Sequence, residues 1–212
     1  MIKEKLSAIL SSIPSDVTLV AVSKTKPIDR IEEAFESGQL DFGENKVQEM
    51  VDKAAVLSKN IRWHMIGHLQ RNKVKYIAPF VSLIHSVDSQ RLLNEIDKQG
   101  KKNDRVIDCL LQIRIAQEET KFGLTYEDCD ALLQQFDCTN VRIRGLMGMA
   151  SFTANQDQIE EEFRSLQQYY DQHHSEQQWD ILSLGMSGDY PLALACGSNM
   201  IRVGSSIFGA RN

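Results

Sequence analysis

Lys24 closes a run of buried character, "TLVAVSKTKP" (18–27), whose first residues are apolar or small and read as a strand. Pro27 then stops that strand, because it has no N–H to give to a ladder. An amine taken out of water is costly unless it is paired, neutralised or chemically used. Two glycine–serine turns offer such a use: "GMSGD" (185–189) and "VGSS" (203–206). Glycine lets the backbone approach an anion, and N–H groups that open a short helix supply donors and partial positive charge. Either turn alone reads equally well as an ordinary tight turn. Together they favour a phosphate site at the two turns. A lysine in a low-dielectric site loses its proton more readily and becomes a nucleophile for a carbonyl. Imine formation with a phosphorylated carbonyl compound is the chemistry these residues support.

Arg202 bears on which compound. It lies two residues before Gly204, hence on the same strand face, and an inward guanidinium needs a planar acceptor. A pyridine nitrogen is one, which points to pyridoxal 5′-phosphate (PLP). A carboxylate from Asp41, Glu44 or Asp189 would serve equally, and then a phosphorylated sugar remains open. Asn45 follows another strand-like run, and His64 shares a face with Ile66 in "RWHMIG" (62–67). His64 divides evenly between facing a ligand and being a hydrogen-bonded core histidine. His85 reads as structural, and His173 and His174 as cations ending a polar helix. Lys26 either adds positive potential beside Lys24 or is a solvated loop residue. Met147 and Met149 read as lining.

These residues need a scaffold that collects strand ends. Eight strand-like runs are visible: 18–24, 41–45, 62–67, 81–88, 106–115, 141–150, 181–186 and 200–209. Helical patterns separate them, as in 29–38, 45–57, 89–100 behind an N-cap serine, and 155–174. Eight buried strands alternating with helices predict an α/β fold, a (β/α)8 TIM barrel, in one domain over 1–212. A doubly wound open sheet is the competitor, but the turn after Lys24 lacks its glycine-rich signature. Barrel sites form on the C-terminal strand ends, with phosphate often held after strands 7 and 8. That is where the two glycine–serine turns fall.

Composition narrows the classes further. Apolar residues make up 42% of 212, enough for a sizeable core. The net charge of −5 argues against nucleic acid as partner; "RNKVK" (71–75) is the one dense basic patch and reads as a solvated helix face. The four cysteines lack metal or disulfide spacing. "MIKEKLSAILSSI" reads as an amphipathic helix rather than a signal peptide, and no run is long enough to cross a membrane. A cytoplasmic protein, monomer or weak dimer, is expected.

Seven stretches together carry a resemblance: "LVAVSKTKP", "FGENKVQE", "WHMIGHLQRNKVK", "IHSVDS", "RGLMGMA", "LSLGMSGDYPLALACGS" and "IRVGSSIFGAR". They resemble the pyridoxal phosphate homeostasis protein family from about residue 18 to 211. The resemblance implies a barrel like the N-terminal domain of alanine racemase, with PLP on Lys24 as an internal aldimine. It implies that Ser187, Gly204 and Ser205 hold the phosphate, that Arg202 faces the pyridine nitrogen and that Asn45 lies near the ring. It further implies a role in PLP supply and amino-acid balance rather than catalysis, with apo PLP-dependent enzymes as recipients. Asn199 departs from the family, where threonine is common. Residue chemistry agrees on catalysis: arginine at the ring nitrogen weakens an electron sink, and racemases draw a second base from a further domain, whereas here only Asn212 follows Arg211. The rival readings are a PLP-dependent racemase, a Schiff-base phosphosugar aldolase, and an interaction protein in which PLP is structural.

Overall fold

The computed structural model describes residues 1–118 and 122–209; Ala210 and Arg211, which end the last resembling stretch, and Asn212 lie outside the described residues. Eight parallel strands close into a barrel in chain order: β1 (Thr18–Val22), β2 (Asp41–Glu44), β3 (Arg62–Met65), β4 (Leu83–Val87), β5 (Ile107–Ile113), β6 (Val141–Gly148), β7 (Ile181–Met186) and β8 (Met200–Val203). Closure is direct, with Val20 of β1 opposite Arg202 of β8. The helices are α1 (Ile2–Ser12), α2 (Ile28–Glu36), α3 (Val47–Val56), α4 (Val74–Ile77), α5 (Gln90–Lys102), α6 (Tyr126–Gln134), α7 (Gln156–Gln177), α8 (Tyr190–Ala195) and α9 (Ser205–Phe208).

Two cores result. The larger lies between barrel and helices and includes Phe42, Met50, Ile84, Leu93 and Phe163. The smaller fills the barrel itself with Val20, Leu83, Leu110, Met147, Ile181 and Met200. Helix starts follow local chemistry: the side chains of Ser89, Thr125 and Asn155 accept from Leu92, Asp128 and Gln158 N–H groups. The Thr125 cap opens α6, a helix absent from those read off the pattern, because its buried face is only Cys129 and Leu132.

Several strands are shorter than their apolar runs. β8 ends at Val203, not at 209, and the chain turns at Gly204 into α9, whose Ile207 and Phe208 are buried as helix residues. A Cβ on Gly204 would lie 3.2 Å from Val22, a tight contact that a larger residue could make only if Val22 gave way by a few tenths of an ångström. β1 ends at Val22, which leaves Lys24 in the turn beyond it.

That turn is held by a buried charge cluster. Lys53 of α3 donates to the Ser23 carbonyl at 2.8 Å and to Glu44 and Glu49 at 2.7 Å each. The Ser23 hydroxyl donates to Glu44 at 2.6 Å, and the Thr25 N–H to Glu49 at 2.5 Å. Residues on both sides of Lys24 are thereby anchored, and Thr25 is kept at φ 63°, a conformation unfavourable for a β-branched side chain. Glu44 is fully buried with Oε2 unpartnered, and burial raises its carboxyl above the ordinary value despite Lys53 and Ser23.

Lys53→Met should therefore cost about 3–5 kcal/mol in urea unfolding at neutral pH, the ordinary loss when one partner of a buried pair is removed. A carboxyl whose folded-state pKa is raised binds its proton more tightly when folded, so the loss should shrink as pH falls. A pH-independent loss would show that Glu44 does not carry it.

Candidate functional site

A cavity of about 570 Å³ opens at the C-terminal end of the barrel. Lys24 reaches it from the β1 turn, Asn45 from the end of β2, and Ser187 from the end of β7; Arg202 lies on β8, with Gly204 and Ser205 just after it. Six of the seven residues expected at a site thus line one space. A groove beside α5 is larger, about 650 Å³, but its lining has neither a lysine nor a glycine turn among the described residues.

The two phosphate-type turns touch each other: the Gly204 N–H donates to the Ser187 hydroxyl at 3.1 Å. Asp189 accepts from the Met186 N–H at 2.6 Å and so closes the first turn on itself. Ser205 begins α9, where the first N–H groups of a helix have no internal partner. Asn45 owes its place to a contact the sequence hid. A Cβ at Gly67 would sit 2.4 Å from the Asn45 carbonyl, so glycine alone lets the β3 end pack there. Lys26 also lines the cavity, and its amine donates to the Gly209 carbonyl at 3.1 Å, at the end of α9.

Arg202 is 3% exposed. Its Nη1 donates to the Ser183 carbonyl at 2.9 Å and to the Ser183 hydroxyl at 2.5 Å, and Nη2 to the Gly148 carbonyl at 2.9 Å. None of these bonds uses Nε. The three carboxylates that might have paired with it are engaged elsewhere: Asp41 with Arg62 and His64, Glu44 with Lys53 and Ser23, Asp189 with the Met186 N–H. Burial draws the guanidinium down to about 10, with only the more distant charge of Asp189 opposing the shift. It remains a cation at neutral pH, and among the described residues no carboxylate bonds it.

His64 is the residue the structure does not bring to this cavity, and the expectation that it faces a cofactor is corrected here. It does share the inner face with Ile66, which lines the mouth. A rise of about 3.3 Å per residue sets it roughly 6.6 Å deeper. There it lines a second cavity of about 400 Å³, at the N-terminal end with Thr18, Asp41 and Arg62. Its ring bonds Asp41 and His85, both at 2.9 Å. Sequence reasoning missed the aromatic part of the rim, Phe122 and Phe152. His68 stacks on Phe122 at 4.0 Å, and the exposed Phe122, Phe152 and Met186 all border the mouth. Met149 lines it, while Met147 fills the barrel core.

The donor set fits PLP: an amine, a buried guanidinium lacking a carboxylate, and two joined turns of glycine and serine. Among the described residues the lining offers a phosphosugar no carboxylate for its hydroxyl groups.

The family model for the alanine racemase N-terminal domain matches residues 1–212. A pyridoxal phosphate homeostasis protein of Haemophilus influenzae is 38% identical over 203 residues, 92% of this chain and 86% of that protein. One of Escherichia coli strain K12 is 35% identical over 100% of this chain and 94% of its own. Among solved structures, PipY of Synechococcus elongatus PCC7942 with PLP bound matches at TM-score 0.92 and 35% identity, covering 99% of this chain and 100% of that one. An alanine racemase of Clostridium difficile 630 shares the fold at TM-score 0.81, with 12% identity over 56% of its length. Barrel, motifs and relatives agree, and the chain belongs to the pyridoxal phosphate homeostasis protein family within the alanine racemase N-terminal domain family.

Proposed function

We propose that this protein binds PLP at the barrel mouth and serves PLP homeostasis and amino-acid balance without being an efficient enzyme. The observation that carries the reading is Arg202, a buried cation bonded only to uncharged oxygens and bordering the same cavity as Lys24. When bound, PLP supplies an aldehyde that an amine captures and a ring able to withdraw electrons. Lys24 is the amine placed to capture it. Gly204, Ser205 and Ser187 hold the phosphate, and Asn45 lies along the ring. Arg202 donates a hydrogen bond to the ring nitrogen and keeps its own proton, which makes the site a holder more than an electron sink.

Racemisation would also need a proton-transferring group on each side of the α-carbon. Among the described residues, the titratable groups lining the cavity besides Lys24 and Arg202 are Lys26 and His68. Lys26 is bonded to the end of α9, which leaves His68, stacked on Phe122 with Nδ1 3.4 Å from Asp88, as the described candidate for an opposing base. The relatives' naming as homeostasis proteins supports the same reading. Apo PLP-dependent enzymes are the recipients this function calls for.

Purified protein mixed with PLP should turn yellow, and borohydride should fix the cofactor to the peptide containing Lys24. Lys24→Ala should lose the near-visible band while its circular dichroism stays that of a folded barrel. No band in the wild type would refute PLP capture.

Ser187 and Ser205 should act on the phosphate alone. A hydrogen bond to a charged group is worth about 1.5–3 kcal/mol, so each Ser→Ala should weaken PLP binding roughly tenfold or more. Pyridoxal, lacking phosphate, should lose little; equal losses for both ligands would show that the turns hold something else.

Solvent deuterium should enter the α-position of alanine only slowly, with almost no change in enantiomer ratio. Turnover on the order of 1–10³ s⁻¹, the ordinary enzymatic range, would overturn the non-enzymatic assignment. His68→Gln would then identify whether His68 is the base.

A further inference from the structure

Barrel interiors are ordinarily filled by branched aliphatic side chains. This one also encloses His64, His85, Ser183 and Arg202, exposed by 3%, 0%, 0% and 3%. They form a continuous chain. The Ser183 hydroxyl lies 3.3 Å from His85 Nδ1, His85 Nε2 lies 2.9 Å from His64 Nδ1, and His64 Nε2 lies 2.9 Å from Asp41. At one end Arg202 borders the mouth cavity; at the other, Asp41, His64 and Arg62 border the floor cavity.

Hydrogen-bond chemistry fixes its direction. Arg202 only donates, so the Ser183 oxygen accepts from it and turns its own proton to His85 Nδ1. Burial, then the nearby His64 and Arg202, hold His85 well below the ordinary imidazole range, so it is neutral and carries its proton on Nε2. That proton goes to His64 Nδ1, which leaves His64 Nε2–H to donate to Asp41. Burial raises Asp41, but the bonds from His64 and Arg62 outweigh it and hold it below the usual carboxylate range, as a fixed acceptor. Every bond points from mouth to floor.

We propose that Ser183, His85, His64 and Asp41 are positioning residues for Arg202, forming a one-directional hydrogen-bond chain that couples the cofactor mouth to the barrel floor. Uncharged acceptors alone would hold the guanidinium; the chain adds a link through which a change at Arg202 reaches His64. The coupling runs both ways. The charged groups that face His64 are Asp41 on β2 and Arg62 on β3, with His85 on β4 as its other partner; Asp16, Arg144 and Asp180 share the floor cavity. The proposal rests on the PLP reading only for what fills the mouth.

Histidine-selective ¹⁵N NMR of the full chain tests it, with PLP as the titrant. Without PLP, His64 and His85 should both be neutral with the proton on Nε2. PLP should shift both rings together, including His64, which lines no part of the mouth, while His173 and His174 on α7 stay fixed. Ser183→Ala should shift both rings before PLP is added. It should also abolish their response to PLP while the near-visible band persists. An Nδ1–H tautomer at either ring, or a His64 resonance indifferent to Ser183→Ala, would overturn the chain. A His64 unmoved by bound PLP would overturn the coupling. Absence of the band refutes the PLP reading separately, and the measurements without PLP still decide the chain.

Discussion

A guanidinium in a barrel core without a carboxylate is the constraint around which the interior is organised. Burying an unpaired cation is costly, and here the cost is offset by the carbonyls of Ser183 and Gly148 and the hydroxyl of Ser183. Such an arrangement persists only if the nearby carboxylates are kept away. Asp41 is claimed by Arg62 and His64, and Glu44 by Lys53 and Ser23. Asp41, the inward carboxylate of β2, is thus taken by Arg62 and His64, and Glu44 faces α3 rather than the barrel interior. Among the described residues the lining of the mouth holds Lys24, Lys26 and Arg202 and no acidic side chain, in a chain whose net charge is −5. A low-dielectric cleft with one sign of charge concentrates anions, and a phosphate ester is one.

The same segregation positions the nucleophile. Lys53 neutralises Glu44 and Glu49, and that cluster fixes the backbone on both sides of Lys24. Thr25 is held in a left-handed conformation by bonds to another element, not by its own preference. Rigid placement of an amine beside a phosphate cradle lowers the ordering cost of capturing a ligand that carries both an aldehyde and a phosphate.

The barrel was legible because its signals are periodic and redundant: eight apolar runs, helical spacing between them, and the cap at Ser89. Strand ends were less so. The 200–209 run reads as one strand, but it turns at Gly204, where the backbone passes close to Val22, and continues as a helix. The mouth residues Lys24, Asn45, Ser187, Arg202, Gly204 and Ser205 were readable because a barrel assigns strand ends to one face. His64 was misplaced because alternation gives the face of a strand and not the depth along it. The Lys53 cluster and the contact of Gly67 with Asn45 join separate elements, and no local pattern announces them.

Barrel folds usually divide labour between a C-terminal face for function and an N-terminal face for stability. Here the division is crossed by polar groups in a layer that could have been aliphatic. A fully apolar interior would leave Arg202 with its backbone acceptors and one hydroxyl, and would not need two histidines. Two imidazoles in series have a property aliphatic side chains lack: each passes on the donor or acceptor character imposed at its other nitrogen. Their tautomers are dictated by a cation at one end and an anion at the other, so neither changes alone. The floor of this barrel is tied to its mouth by hydrogen-bond polarity, and that tie requires no movement of the backbone.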